Sequence, residues 1–96
     1  MITLIAKLKA KPGKESLLAE ESKKIAQKVR ENEKSCLMYI PHVSVENPAE
    51  IVFVEKYADQ EALDAHFKTP YFKALAEKFG ELLDEEPELK TLKELI

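Results

Sequence analysis

The spacing of apolar residues shifts along this chain from every second residue to every third or fourth and back again. That alternation restricts the fold more than any other feature. Over residues 2–9, Ile2, Leu4, Ala6 and Leu8 point one way and Thr3, Ile5, Lys7 and Lys9 the other. This is the period of a strand. Pro12-Gly13 breaks it. From residue 14 to 31, Leu18, Ile25 and Val29 fall at helical spacing, with Leu17 and Ala26 widening the stripe. The segment predicts an amphipathic helix of about five turns. Residues 36–45 then read as a strand, with Cys36, Met38 and Ile40 on one face and Leu37 and Tyr39 on the other. Asn47-Pro48 marks a turn. A second apolar strand covers 51–57, where Ile51, Phe53, Glu55 and Tyr57 share a face opposite Val52, Val54 and Lys56. The short gap predicts an antiparallel hairpin. Pro41 cannot donate to a ladder and belongs at an edge or a bulge.

The helical period returns after Asp59, a candidate N-cap, with Glu61 placed to favour the helix dipole. Thr69-Pro70 reads as a second start, Thr69 as cap and Pro70 at the first helical position. Two helical pieces broken at 68–70 are expected. The second carries Phe72, Leu75, Ala76, Phe79, Leu82 and Leu83 inward. The acidic run Asp84-Glu85-Glu86-Pro87 ends it as a solvated loop. Residues 89–95 fit a last strand and also a short helix.

The order strand–helix–strand–strand–helix–strand predicts one α+β domain over 1–96. Its arrangement is the ferredoxin-like split βαβ, an antiparallel sheet with both helices on one face. Two helices leave the other face of four strands bare. If that face carried Leu37, Tyr39, Phe53 and Tyr57 it would be a large apolar patch. A second copy packed sheet against sheet would cover it, so a homodimer is expected. A cavity for a small planar ligand is expected between sheet and helices or between the sheets.

Composition narrows the chemistry. The chain has 96 residues, 15 basic and 18 acidic side chains and a net charge of −3. That balance argues against nucleic acid as a partner. Lys7, Lys9, Lys11 and Lys14 read as a solvated strand end. The two glycines, Gly13 and Gly80, are too far apart for a phosphate or dinucleotide loop. One cysteine, Cys36, excludes an internal disulfide and any cysteine-based metal cage. No metal or other cofactor is expected. No apolar run approaches the ~20 residues that span a bilayer. Met1–Ile5 runs into Lys7 without a signal-peptide pattern. A cytoplasmic protein without membrane contacts is expected.

Few side chains remain for chemistry. His66 lies beside the apolar stripe holding Leu63 and Phe67, at the rim of a core or cleft, where an imidazole could accept a proton from a weak acid. A histidine hydrogen-bonded to a neighbouring strand would fit the same position. His42 reads as exposed. Cys36 reads as a buried inert thiol rather than a nucleophile paired with histidine. Glu55, a charge on an apolar strand face, is expected to pair with a lysine or to contact ligand. Tyr39, Tyr57 and Tyr71 could serve as core residues or line an aromatic-binding cavity.

Phe53-Val-Glu-Lys-Tyr57, Asp59-Gln-Glu-Ala-Leu63 and Ala65-His-Phe-Lys-Thr-Pro-Tyr-Phe72 resemble the antibiotic biosynthesis monooxygenase domain. Lys11-Pro-Gly13 and Cys36-Leu-x-Tyr39 match it in order and spacing, so the likeness covers nearly the whole chain. The resemblance implies a dimeric α+β barrel. It implies a cofactor-independent monooxygenase that oxidises a small quinol or polycyclic phenol with dioxygen. By this resemblance His66 would be the catalytic base or a substrate contact, with Tyr57 and Tyr39 lining the cavity; Phe53, Glu55 and Tyr71 are the further residues expected to bind the small aromatic substrate. Tyr57 stands where the family often has Trp, and Ser35 where it has Gly. The haem-degrading branch carries an Asn, a Trp and a His; the matching positions here are Lys7, His66 and Ala76, which disfavours haem degradation. A branch acting on phosphorylated autoinducer-2 is similar around Glu55-Lys-Tyr57 and His66-Phe-Lys-Thr-Pro70. It supplies the alternative of an isomerase or processing enzyme for a small sugar-derived compound. A non-enzymatic dimeric ligand-binding protein is the third reading.

Overall fold

The alternation over the first residues becomes strand β1 (Ile2–Lys9) in a computed structural model that describes residues 1–96. Gly13 then takes a positive φ of 86°, a conformation that costs a glycine little, and turns the chain into helix α1 (Glu15–Asn32). Strands β2 (Cys36–Val43) and β3 (Glu50–Tyr57) form the hairpin. Helices α2 (Gln60–Phe67), α3 (Pro70–Glu77) and α4 (Phe79–Leu82) follow, and β4 (Glu88–Lys93) closes the order.

The sheet runs β2-β3-β1-β4, all antiparallel. β1 and β3 pair from Ile2 opposite Tyr57 to Lys9 opposite Glu50. Tyr39 of β2 lies opposite Glu55 of β3. The register shifts between Cys36 and Met38, and Leu37 is left 57% exposed. Pro41 sits on β2, an edge strand, as its missing donor requires.

All the helices cover one face. β1 contributes Leu4, Ala6 and Leu8 to the core, α1 contributes Leu18, Ile25 and Val29, and β3 contributes Ile51 and Phe53. Each of these buried Leu, Ile, Val and Phe side chains stabilises the fold by about 1.5–3 kcal/mol. Leu17 departs from the expected stripe and is exposed, while Ser22 is buried and satisfies its hydroxyl on the Leu18 carbonyl at 2.8 Å.

The break at 68–70 forms as expected and fixes His66. The Asp59 carboxylate accepts the Ala62 N–H at 2.9 Å and starts α2. The Thr69 hydroxyl donates to the His66 carbonyl at 2.7 Å and accepts the Phe72 N–H at 3.3 Å. One side chain thus closes α2 and caps α3, with Pro70 at the first helical position. A further break at Lys78, not anticipated from the sequence, separates the short α4.

The strand faces are assigned differently from the dimer argument above. Tyr39, Phe53 and Tyr57 turn toward the helices and are buried. The physical reason is volume: these rings fill the space beneath α1 and α2, which smaller residues would leave void. The bare face carries Ile5, Ile40, Val52, Val54 and Leu92 instead. Residues 89–95 resolve as a strand over 88–93 rather than a helix, and every residue of β4 is exposed. The helical layer stops short of it.

Candidate functional site

That short helical layer leaves a cavity of about 70 Å³ between the sheet and α2 and α3. Its floor includes Ala6, Tyr39, Phe53 and Glu55; its roof includes His66, Phe67, Phe72 and Leu75. Pro87 and Leu89 form the rim beside β4.

His66 is the centre of the arrangement. It is 1% exposed, deeper than the rim position its helical angle suggests. Its ring lies 5.2 Å from Tyr39, 5.3 Å from Phe72, 5.6 Å from Phe67 and 5.8 Å from Tyr57, centroid to centroid. Nδ1 stands 3.0 Å from Oε2 and 3.2 Å from Oε1 of Glu33. The Tyr71 hydroxyl also donates to Glu33 Oε2. A carboxylate only accepts, so Nδ1 bears a proton, and in the neutral form of the ring Nε2 is the acceptor. Nε2 has no partner within the protein, and no wholly buried side-chain nitrogen or oxygen lacks one. The free edge of the ring therefore keeps some open surface, and the cavity is the space it lines.

Glu33 comes from the residue that ends α1, where its N–H bonds the Val29 carbonyl. Nothing in the sequence marks it: Glu31-Asn32-Glu33-Lys34 reads as a solvated charged run, and its partner is 33 residues away. Its far side faces an open surface cleft of about 750 Å³ bordered by Lys28, Asn32, Lys34 and Tyr71. The larger concavity is thus outside the pair and the enclosed one inside it. His66 and Glu33 form the partition between them.

Glu55 is 3% exposed, and no lysine reaches it. The expected lysine pair is absent because the neighbouring Lys56 points to the other face of β3. Instead the Tyr57 hydroxyl donates to Oε1 at 2.6 Å. Burial pushes the carboxyl up to about 7; the Tyr57 hydrogen bond opposes the rise and Glu33 adds to it. Burial first, then neighbouring acidic groups, pushes the Tyr39 phenol well above its ordinary range, and the same holds for Tyr57. Burial, then its hydrogen bond to Glu33, raises Tyr71. All three phenols remain O–H donors at neutral pH.

Of the residues singled out in the sequence, His66, Tyr39, Phe53 and Glu55 converge on the cavity. Tyr57 is wholly buried behind Glu55, and Tyr71 stands on the outer cleft. Cys36 is half-buried, donates to the Met38 carbonyl at 3.3 Å and has its thiol pushed up to about 11, chiefly by burial. His66 gives its Nδ1 to Glu33 rather than to this thiol, so no nucleophilic pair forms. His42 is exposed, with Nδ1 2.9 Å from the Ile40 carbonyl. No three His, Cys, Asp or Glu side chains converge as a metal site would require. No helix is long and apolar enough to cross a membrane.

The sequence model of one protein family, antibiotic biosynthesis monooxygenase, matches residues 1–78. An uncharacterized protein of Synechocystis is 30% identical over 92 residues, 96% of this chain, while the chain spans 62% of that protein's length. A Mycobacterium tuberculosis protein of solved structure superposes with a TM-score of 0.91 at 26% identity, covering 99% of this chain and 95% of its own. A candidate antibiotic biosynthesis monooxygenase of Caulobacter crescentus gives 0.91 at 30% identity, covering 99% and 90%.

Proposed function

The chain belongs to the antibiotic biosynthesis monooxygenase family, and from that premise we propose that it oxidises a small single-ring phenol or hydroquinone with dioxygen, using His66 as the base. The observation that carries this reading is one buried imidazole whose Nδ1 is held by Glu33 and whose Nε2 is left free at an apolar cavity. A ring lying among Phe53, Phe67 and Phe72 would present its hydroxyl to Nε2. Proton transfer to Nε2 leaves an electron-rich phenolate, and Glu33 stabilises the imidazolium. The substrate then supplies the electrons. A hydroquinone and one O2 give a hydroxyquinone and one water, with one oxygen atom entering the ring and the other leaving as water.

The size of the cavity sharpens the substrate class. A dry cavity of about 150 Å³ accepts benzene, and the space here is about 70 Å³. One ring fits if the rim at Pro87 yields, whereas fused rings overpack it. The first-strand lysines lend no support to a sugar phosphate. Lys7 pairs with Glu50 at 3.5 Å, Lys9 is exposed and Lys11 donates to the Gly80 carbonyl at 2.7 Å. None of them lines the cavity.

The test is oxygen uptake by metal-free protein with single-ring hydroquinones under 18O2. Uptake above the protein-free rate, with one labelled atom in the quinone, is expected. Fused tricyclic phenols should react about 5- to 150-fold more slowly, the equivalent of about 1–3 kcal/mol of overpacking. No acceleration with any single-ring compound would reject the reading.

The same proposal includes a homodimer. In a single chain the bare sheet face leaves Ile40 and Leu92 exposed, beside the half-buried Ile5, Val52 and Val54. A second copy would remove this surface from water. Sedimentation at micromolar concentration should give twice the 10.9 kDa chain mass. A monomer at that concentration would contradict the assembly.

A further inference from the structure

Two polar side chains in the cavity have no part in the oxygenation described above. Tyr39 and Glu55 are register partners on adjacent strands and lie side by side on the cavity floor. Tyr39 is 5% exposed, and its hydroxyl donates to nothing in the protein. Glu55 accepts the Tyr57 hydroxyl on Oε1, and its Oε2 has no partner. No side-chain oxygen that is wholly buried is left unpaired, so both groups keep surface, and both line the same cavity as His66.

The chemistry of such a pair is specific. A carboxyl in an apolar site without a cation favours its neutral form, which donates an O–H. A buried phenol does the same. Two donors on the floor and one acceptor, Nε2, in the roof suit a ligand that loses a proton at carbon while gaining charge on oxygen.

We infer that Tyr39 and Glu55 together hold one ligand oxygen, and that the cavity thereby enolises a small carbocyclic ketone without dioxygen. This rests on the proposed role of His66 as the cavity base. The C–H bond beside the carbonyl breaks, its proton passes to Nε2, and its electron pair forms a carbon–carbon double bond. The charge settles on the carbonyl oxygen, which accepts hydrogen bonds from Tyr39 and Glu55. In a β,γ-unsaturated ketone, return of the proton to the γ-carbon moves the double bond into conjugation. No oxidant is consumed.

The experiment uses cyclohex-3-en-1-one under argon, following absorbance of the conjugated isomer and deuterium uptake at the α-carbon. Wild-type protein is expected to accelerate both over buffer. Tyr39→Phe removes a hydroxyl with no protein partner, so the fold should persist, and isomerisation should fall about 10²-fold. Glu55→Gln keeps an N–H donor and should lose less, about tenfold. Unchanged rates in Tyr39→Phe would overturn the oxygen-holding pair. A Glu55→Gln loss as large as that of Tyr39→Phe would assign the work to an ionised carboxylate and overturn it as well. Wild-type oxygen uptake with a hydroquinone but no isomerisation would reject this inference and leave His66 as the base for phenols. Failure of both reactions would reject both.

Discussion

His66→Gln is expected to lower oxygen consumption by roughly 10²–10⁴-fold, the usual contribution of a positioned general base. Glutamine fills part of the imidazole's volume and can still donate an amide N–H to Glu33. The variant should therefore fold, while the basic nitrogen aimed at the cavity is replaced by an amide too weakly basic to take a proton. Glu33→Gln probes the same pair from outside. An amide at position 33 can donate to Nδ1, which would move the ring proton to Nε2 and blunt the base. A loss on the order of 10⁴ accompanies the wrong tautomer in histidine–carboxylate pairs of this kind. Nitrogen-15 NMR of the ring distinguishes this from a general loss of structure. Wild type should show the proton on Nδ1, and Glu33→Gln should show it on Nε2. Full activity in His66→Gln, with its fold confirmed by circular dichroism, would remove His66 from the chemistry.

The second large effect concerns stability and runs opposite to the usual carboxylate. The Glu55 carboxyl is pushed from 4.5 up to about 7, burial being the main cause. Between those values the folded chain holds a proton that the unfolded chain releases. Stability from this group is complete below about pH 4.5 and is lost as pH rises through about 7. At about 1.4 kcal/mol per unit, the loss reaches about 3 kcal/mol. Other ionisable groups near Glu55 are Tyr57 and Tyr39, Cys36, Glu33 and His66. The phenols and the thiol stay protonated across this range, and the Glu33–His66 pair is common to wild type and variant. Glu55→Gln cannot titrate. Urea unfolding at pH 5 and pH 8 should thus show the variant gaining on wild type by about 2.5 kcal/mol, the part of the loss that falls between those pH values. A constant difference between the two proteins would mean that Glu55 ionises in the fold as it does in water.

Both predictions rest on residues whose legibility in the sequence differed. Period-two and helical spacing located β1, β2, β3 and α1 within a residue or two, because each of these elements buries one face against the core. Asp59 and Thr69-Pro70 were readable as caps because capping is local chemistry. Strand faces were harder. On β3, Ile51, Phe53 and Tyr57 compete with Val52 and Val54, and Glu55 on the aromatic face invites a lysine partner that the fold does not bring to it. The rings turned inward because their volume fits beneath α1 and α2, and the carboxyl went with them. Glu33 was illegible for a different reason. Its role depends on a fold contact with His66, and no spacing rule reaches that far. The uncovered β4 was also hidden, since counting helices does not tell where their layer ends.

The Thr69 hydroxyl has a consequence for motion. It is bonded at once to the carbonyl that closes α2 and to the amide that opens α3. The cavity roof, with His66 on one helix and Phe72 on the other, is therefore riveted into a single plate. Scissoring of the two helices would break the rivet first. Traffic into the cavity is left to the seam opposite, where residues 84–87 are tethered by the Ala10–Leu83 bridge and the Asp84 N–H on the Lys9 carbonyl at 2.8 Å. The fold thus sets a side where two helices are locked together by one hydroxyl against a side where the loop over 84–87 is held only at its start.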